Sequence, residues 1–325
     1  MTAIAAVDEA VPLDAPLRLE KGGVIQRCRV GLRRVGDGDA PAVLVLGGIS
    51  ATRRVTSLPG EVRAGWWDPV VEVSRVLSSG VVQLVSADFL AGEGISSLPG
   101  DGDQLTTGDQ AEAIARACIA SGIETLAAVI GASYGGMVAL SLAAARPQFA
   151  GRVFAISAAD RSHPMASAAR WIQREILRLG EAAGRPRAGV ALARALAMTS
   201  YRTASEFHGR FGAGPDGACA VTAYLTRRGE DFAGRWTSAR FRQLSESLDL
   251  HQVDPSRIGI PVTLVGVTSD TLVPIWQLQA LRDALGSGGS LHLLDSPWGH
   301  DAFLKEPAAI ARLVDRFLLT SLRQP

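Results

Sequence analysis

Gly131-Ala132-Ser133-Tyr134-Gly135 sets a serine hydroxyl between two glycines. An apolar, β-prone run at residues 126–130 leads into it, and a small-residue helical segment at 137–145 follows. Strand, tight turn and helix are the context that the G-x-S-x-G pattern requires. A serine hydroxyl is a poor nucleophile. It has to stand on a sharp turn within reach of a base, with backbone N–H groups facing the oxyanion that forms. Glycines at 131 and 135 remove the Cβ atoms that would crowd such a turn. A buried helix or a membrane span competes for residues 125–145, which carry no charge, but three glycines interrupt the middle of that run.

The remaining members of such a site follow in the order serine, acid, histidine. Of the five histidines, His163, His208, His251, His292 and His300, only His300 stands in a loop after the last strand pattern, which makes it the expected base. His292 lies inside that pattern, and the other three fall in a helical block where a core or solvated histidine is the default. Asp270 follows the apolar run 262–267 and is the expected acid, with capping of the next helix as its alternative use. Asp295 competes but lies close to His300 in sequence. Donors for the oxyanion would be the N–H of Tyr134 and that of Ile49. Ile49 follows the glycine pair Gly47-Gly48 at the end of another apolar run, a pattern equally consistent with an ordinary strand-to-helix turn.

These residues need strands to carry them. Residues 24–32, 42–46, 81–86, 152–157, 262–267 and 291–294 read as strands; residues 109–120, 276–285 and 308–319 read as helices. From 165 to about 250 no buried strand pattern occurs, and helices are expected at 166–179, 189–198, 204–211 and 218–227. Alternating strand and helix with a helical block inserted late specifies an α/β fold, a mostly parallel sheet flanked by helices. The expected division is a core of residues 20–160 and 255–325, a helical lid at 161–254, and a loosely ordered lead at 1–19.

The chain has 325 residues, 47% of them hydrophobic, with a formal net charge of +1 and no long run of Lys or Arg, which argues against a nucleic-acid partner. Cys28, Cys118 and Cys219 are too few and too scattered for a disulfide framework or a zinc site. The acidic residues Asp8, Glu9 and Asp14 interrupt the first twenty positions, so no signal peptide is expected and a cytoplasmic protein without membrane attachment is.

The chain resembles the homoserine O-acyltransferases of the α/β-hydrolase superfamily over roughly residues 20–320. The motifs that carry the likeness are Gly65-Trp66-Trp67-Asp68, Gly131-Ala132-Ser133-Tyr134-Gly135-Gly136-Met137, Leu192-Ala193-Arg194 with Ser200-Tyr201-Arg202-Thr203, Ala223-Tyr224-Leu225, Ser247-Leu248-Asp249, and Gly299-His300-Asp301-Ala302-Phe303-Leu304. The resemblance implies the α/β-hydrolase fold and acyl transfer from acetyl-CoA or succinyl-CoA to the hydroxyl of L-homoserine, an early step of methionine synthesis, by a ping-pong route. It implies no bound cofactor, with acyl-CoA as co-substrate. Arg194, Tyr201 and Asp301 match the amino-acid pocket. A guanidinium suits the substrate's carboxylate, and an acid suits its ammonium group. On the residues alone Arg194 reads as a helix-surface arginine. Arg53 and Arg54 replace the family's usual acidic and histidine residues; they would reach a succinyl carboxylate or CoA phosphates, or simply be solvated. A homodimer through the lid is compatible with apolar Trp171, Ile172 and Ile176, which would equally serve packing within the chain. A serine esterase, or acylation of another hydroxylated amino acid or metabolite, is the alternative function.

Overall fold

The computed structural model describes residues 6–100, 102–212 and 217–321; residues 1–5 of the expected lead, 213–216 of the expected lid and the last four residues lie outside them. The strands are β1 (Ala6–Pro12), β2 (Leu17–Arg18), β3 (Val24–Ile25), β4 (Arg29–Val35), β5 (Ala42–Leu46), β6 (Gln83–Ala87), β7 (Ala128–Ala132), β8 (Val153–Ile156), β9 (Val262–Val267) and β10 (Gly289–Leu294). The principal sheet runs β1-β4-β6-β5-β7-β8-β9-β10, with β2 and β3 forming a separate ribbon. From β6 to β10 all neighbours are parallel; β1 and β4 are antiparallel additions.

Helices cover both faces. α1 (Asp68–Val73) and α11 (Pro307–Ser321) lie on one side, and α2 (Thr107–Ala120) and α3 (Tyr134–Ala145) on the other. The period-2 pleat of β5 explains the division. Val43 and Val45 join the cluster with Trp67, Val314 and Phe317, while Leu44 and Leu46 join the cluster with Ile114 and Leu140. A strand buried on both faces needs apolar residues at every position, which is why β5 and β7 read as continuous apolar runs.

Between β8 and β9 the chain forms α4 (Pro164–Ala182), α5 (Pro186–Tyr201), α6 (Ala204–Phe211), α7 (Gly217–Ala233) and α8 (Ser238–Leu250). α9 (Ile275–Leu285) and α10 (Ala302–Lys305) complete the helices. Close approach of α5 and α7 depends on Gly229, where a Cβ would lie 2.3 Å from the Ala191 carbonyl oxygen. Among the described residues, no helix is long and apolar enough to cross a membrane.

Two expectations need correction. The lead is not loose where it is described. Residues 6–12 form edge strand β1, paired in register with β4 from Ala6↔Val35 to Pro12↔Arg29. Its largely exposed residues and adjacent Asp8 and Glu9 suit one sheet edge, and Asp8 finds its partners only in the fold, at Arg33 (2.6 Å) and Arg53. The expected strand 24–32 is two: β3 ends at Ile25, and β4 begins at Arg29 and runs on to Val35.

Candidate active site

Ser133 stands between β7 and α3 with φ 54° and ψ −120°, a backbone conformation that L residues rarely adopt. The neighbouring glycines make the turn possible. A Cβ on Gly131 would lie 2.3 Å from the Gly135 carbonyl oxygen, and one on Gly135 2.4 Å from that of Leu46. The Ser133 N–H donates to Ile156 O (2.8 Å) and Gly135 N–H to Gly47 O (2.9 Å), so the turn is tied to the ends of two neighbouring strand segments.

His300 Nε2 lies 2.7 Å from Ser133 Oγ, and Nδ1 lies 2.7 Å from Asp270 Oδ2. An ionised carboxylate only accepts, so Nδ1 carries the hydrogen and Nε2 is left to accept from the serine hydroxyl. Asp270 is itself oriented, since Oδ1 accepts from the N–H groups of Leu272 (2.8 Å) and Val273 (3.2 Å). The loops holding acid and histidine are laced together: Ser269 Oγ donates to Ser296 O (2.5 Å) and accepts from Gly299 N–H (3.1 Å). Burial pulls the His300 pKa down. The charge of Asp270 and its hydrogen bond outweigh that, Asp301 adds to them, and the net direction is upward from 6.5. Asp295, the competing acid, is exposed and accepts from Thr268 (2.8 Å). His251 is a buried core histidine. It sits between Thr107 Oγ1 (2.7 Å) and Ala159 O (2.9 Å), and burial lowers its pKa to about 4.

Ser133 and His300 open into a cavity of about 390 Å³ roofed by the helices between β8 and β9. Its wall carries Arg161, Arg170, Arg194, Arg202, Arg228 and Lys305, against one carboxylate, Asp301. Some of these cations are neutralised within the protein: Arg170 by Asp249 (2.7 Å), Arg202 by Asp301 (2.8 Å) and, more distantly, Arg161 by Asp160 (3.7 Å). Among the described residues, Arg194, Arg228 and Lys305 meet aromatic rings and no carboxylate. Arg194 lies 4.7 Å from the Phe232 centroid and 5.3 Å from that of Tyr201. The Tyr201 ring in turn lies 6.1 Å from the His300 ring, so the Arg194 guanidinium stands one aromatic ring away from the imidazole.

Comparison with known proteins gives this geometry a family. The model for the alpha/beta hydrolase fold matches residues 55–307. The chain is 40% identical to a homoserine O-succinyltransferase of Xanthomonas campestris over 91% of its own length and 79% of that protein's. It is 35% identical to a homoserine O-acetyltransferase of Thermus thermophilus, over 79% and 72%. The chain belongs to the homoserine O-acyltransferase family of the α/β-hydrolase superfamily. A solved homoserine O-acetyltransferase of Staphylococcus aureus superposes with a TM-score of 0.83 at 24% identity, covering 97% of this chain and 95% of that one, a likeness of fold.

As an acyltransferase of this family, the protein brings Ser133, Asp270 and His300 together at hydrogen-bonding distance. Ile49, Arg194, Tyr201 and Asp301 line the same cavity. The N–H groups of Ile49 and Tyr134 have no acceptor among the described residues. Arg53 and Arg54 go elsewhere. Arg53 is bound by Asp8 and by the fully buried Asp88 (2.7 Å), Arg54 by Glu61, and neither lines the cavity. Of the apolar lid residues, Trp171 and Ile172 are exposed, whereas Ile176 packs against the main core.

Three features went unread in the sequence. Arg202 pairs with Asp301 across 99 positions, and no local pattern signals that contact. His163 accepts from Met165 N–H (3.2 Å), caps α4 and lines the cavity. Tyr134, fully buried next to Ser133, has its hydroxyl 2.7 Å from Ser247 Oγ on α8, a helix not anticipated at all.

Proposed function

We propose that the protein transfers an acyl group from acyl-CoA, acetyl or succinyl, to the side-chain hydroxyl of L-homoserine, a step serving methionine synthesis, through a Ser133 acyl-enzyme. The observation that carries this reading is a hydrogen-bonded Ser133–His300–Asp270 array opening onto a cavity that presents both a guanidinium, Arg194, which meets no carboxylate among the described residues, and a carboxylate, Asp301. A hydrolase of simple esters has no use for that pair; a zwitterionic amino acid uses both.

His300 Nε2 takes the Ser133 proton as Oγ attacks the thioester carbonyl carbon. Asp270 stabilises the imidazolium and fixes its tautomer. The oxyanion is held by the N–H groups of Tyr134 and Ile49, each such donor worth about 2.7–4 kcal/mol in the transition state. Collapse breaks the C–S bond, and His300 returns the proton to the departing thiolate. In the second half the acceptor hydroxyl gives its proton to His300 and attacks the Ser133 ester; the C–Oγ bond breaks and His300 returns the proton to Oγ, leaving O-acyl product and free serine. Arg194, steadied between Tyr201 and Phe232, binds the acceptor carboxylate, and Asp301 binds its ammonium group beside the base. The surplus of positive charge in the cavity wall supports anionic substrates, the phosphates of CoA among them. Pairing of two copies through the exposed α4 face at Trp171 and Ile172 belongs to the same reading, and mass measurement in solution tests it.

The functional test is thiol release from acetyl-CoA and succinyl-CoA, each with homoserine, with serine and with no acceptor. Release that requires homoserine with one of the two donors is expected, and Ser133→Ala removes it. Fast turnover of small activated esters indifferent to acceptor and to Arg194→Ala would identify an esterase instead.

A further inference from the structure

The segment that leaves α5 is docked on the loop that carries His300, residue by residue. Tyr201 places its ring beside the His300 ring. Thr203 Oγ1 donates to Pro297 O at 2.6 Å while also accepting from Glu206 N–H to cap α6. Gly299, at φ 60°, leaves room for this approach; a Cβ there would lie 3.0 Å from the Tyr201 carbonyl oxygen. Between them, Arg202 joins the two sides. Its Nε donates to Asp301 Oδ2 at 2.8 Å and its Nη1 to Glu206 Oε1 at 3.3 Å, with the guanidinium carbon 5.9 Å from the Trp298 ring centroid. The side chains of Arg202 and Glu206 are each 6% exposed, so this is a buried connection and not a solvated pair.

Asp301 follows the catalytic-loop histidine directly, and only one of its oxygens is engaged. Oδ1 accepts from no group among the described residues, while Oδ2 is held by Arg202. A cavity-lining carboxylate with one oxygen clamped is pre-oriented for a single cation. A planar guanidinium provides that because its donors are fixed relative to one another; an ammonium on a flexible stem does not. Holding a group in one geometry before the substrate arrives is how positioning contributes to rate.

We propose that Arg202 is a positioning residue for the acceptor half of the reaction: it fixes Asp301 for the acceptor's ammonium group and, through Glu206, makes that orientation depend on the docking of the lid segment 201–206. The proposal rests on the amino-acid acceptor named above. It predicts a split between half-reactions, because forming the acyl-enzyme needs Ser133, His300 and Asp270 but not an ammonium site.

Steady-state transfer to homoserine and single-turnover thiol release without acceptor would be measured for the wild type and for Arg202→Gln, Arg202→Lys and Glu206→Gln. For Arg202→Gln, the loss of a charge-assisted hydrogen bond is expected to raise the acceptor KM by about 10- to 100-fold. The thiol burst should fall by far less. Arg202→Lys should recover part of the loss, and Glu206→Gln should show the same split at smaller size. A parallel fall of both half-reactions, or an acceptor KM unmoved by Arg202→Gln, overturns the proposal. If Arg202→Gln does not accumulate folded, Glu206→Gln decides alone: a raised acceptor KM with a preserved burst supports the role, and an unsplit loss rejects it. A wild-type enzyme that acylates no amino acid fails the functional reading itself, whatever the variants do.

Discussion

Arg53 and Arg194 are both arginines that the sequence offers to a substrate anion, and the fold treats them oppositely. On the β1–β4–β6 side of the sheet, Arg33, Arg53 and Arg54 meet Asp8, Glu61 and Asp88, three cations against three acids. Arg33 is 2% exposed, and its hydrogen bonds hold the Glu61 pKa down to about 2. In the cavity wall, three of six cations pair with acids of the protein, and among the described residues Arg194 has only rings beside it. The first set is spent on joining strands and loops. The second includes Arg194, Arg228 and Lys305, which meet no carboxylate among the described residues. The lesson is that an arginine's partners, more than its place in a motif, decide whether it can bind a ligand.

The contrast can be broken at its strongest point. Arg33→Ala removes a buried guanidinium and its charge-assisted hydrogen bonds to Asp8 and Glu61, which keep Arg53 and Arg54 as partners, and should cost about 3 kcal/mol of stability in chemical denaturation. Donor and acceptor KM should stay near wild type in whatever protein remains folded. Removing the cavity arginine should do the reverse. Arg194→Ala is expected to raise the acceptor KM by an amount worth about 1.5–3 kcal/mol, the usual range for a hydrogen bond to a charged group, with little movement of the denaturation midpoint. If Arg194→Ala unfolds the protein while Arg33→Ala weakens acceptor binding, the comparison has been read backwards.

The smallest effect concerns the one acid in the cavity wall. A base must be neutral to accept a proton, so raising the His300 pKa means that activity is lost, as pH falls, already above the ordinary imidazole value. The acid limb of thiol release without acceptor should therefore lie above about 6.5. Asp301→Asn removes one of the charges that raise the pKa, so the limb should move to lower pH. A limb below 6.5 in the wild type, or one that Asp301→Asn moves upward, would contradict the stated electrostatics.

What could be read from the sequence follows the range of the interactions. Ser133, Asp270 and His300 were legible because each ends a recognisable strand pattern, and their order along the chain is fixed by the fold. The strand Val262–Val267 and the helix Ala204–Phe211 match their expected limits, since apolar periodicity is local. β1 was missed because Asp8 and Glu9 look like solvated lead until Arg33 and Arg34 meet them. α8 was missed because its buried face includes Ser245 and Ser247, small hydroxyl residues that give little apolar signal. Arg202 carries no local signal beyond its place in a motif, and its meaning arises from a loop 99 residues away.

The contact between the Tyr134 hydroxyl and Ser247 has a practical corollary for anyone recombining such enzymes. The residue that follows the nucleophile is anchored in the inserted helices, not merely in the sheet. A chimera that exchanges those helices while keeping this sheet would deprive a fully buried phenol of its partner, at a cost of about 1–3 kcal/mol. The natural unit of exchange therefore runs from Tyr134 through α8, crossing the border that a parts list would draw between scaffold and module.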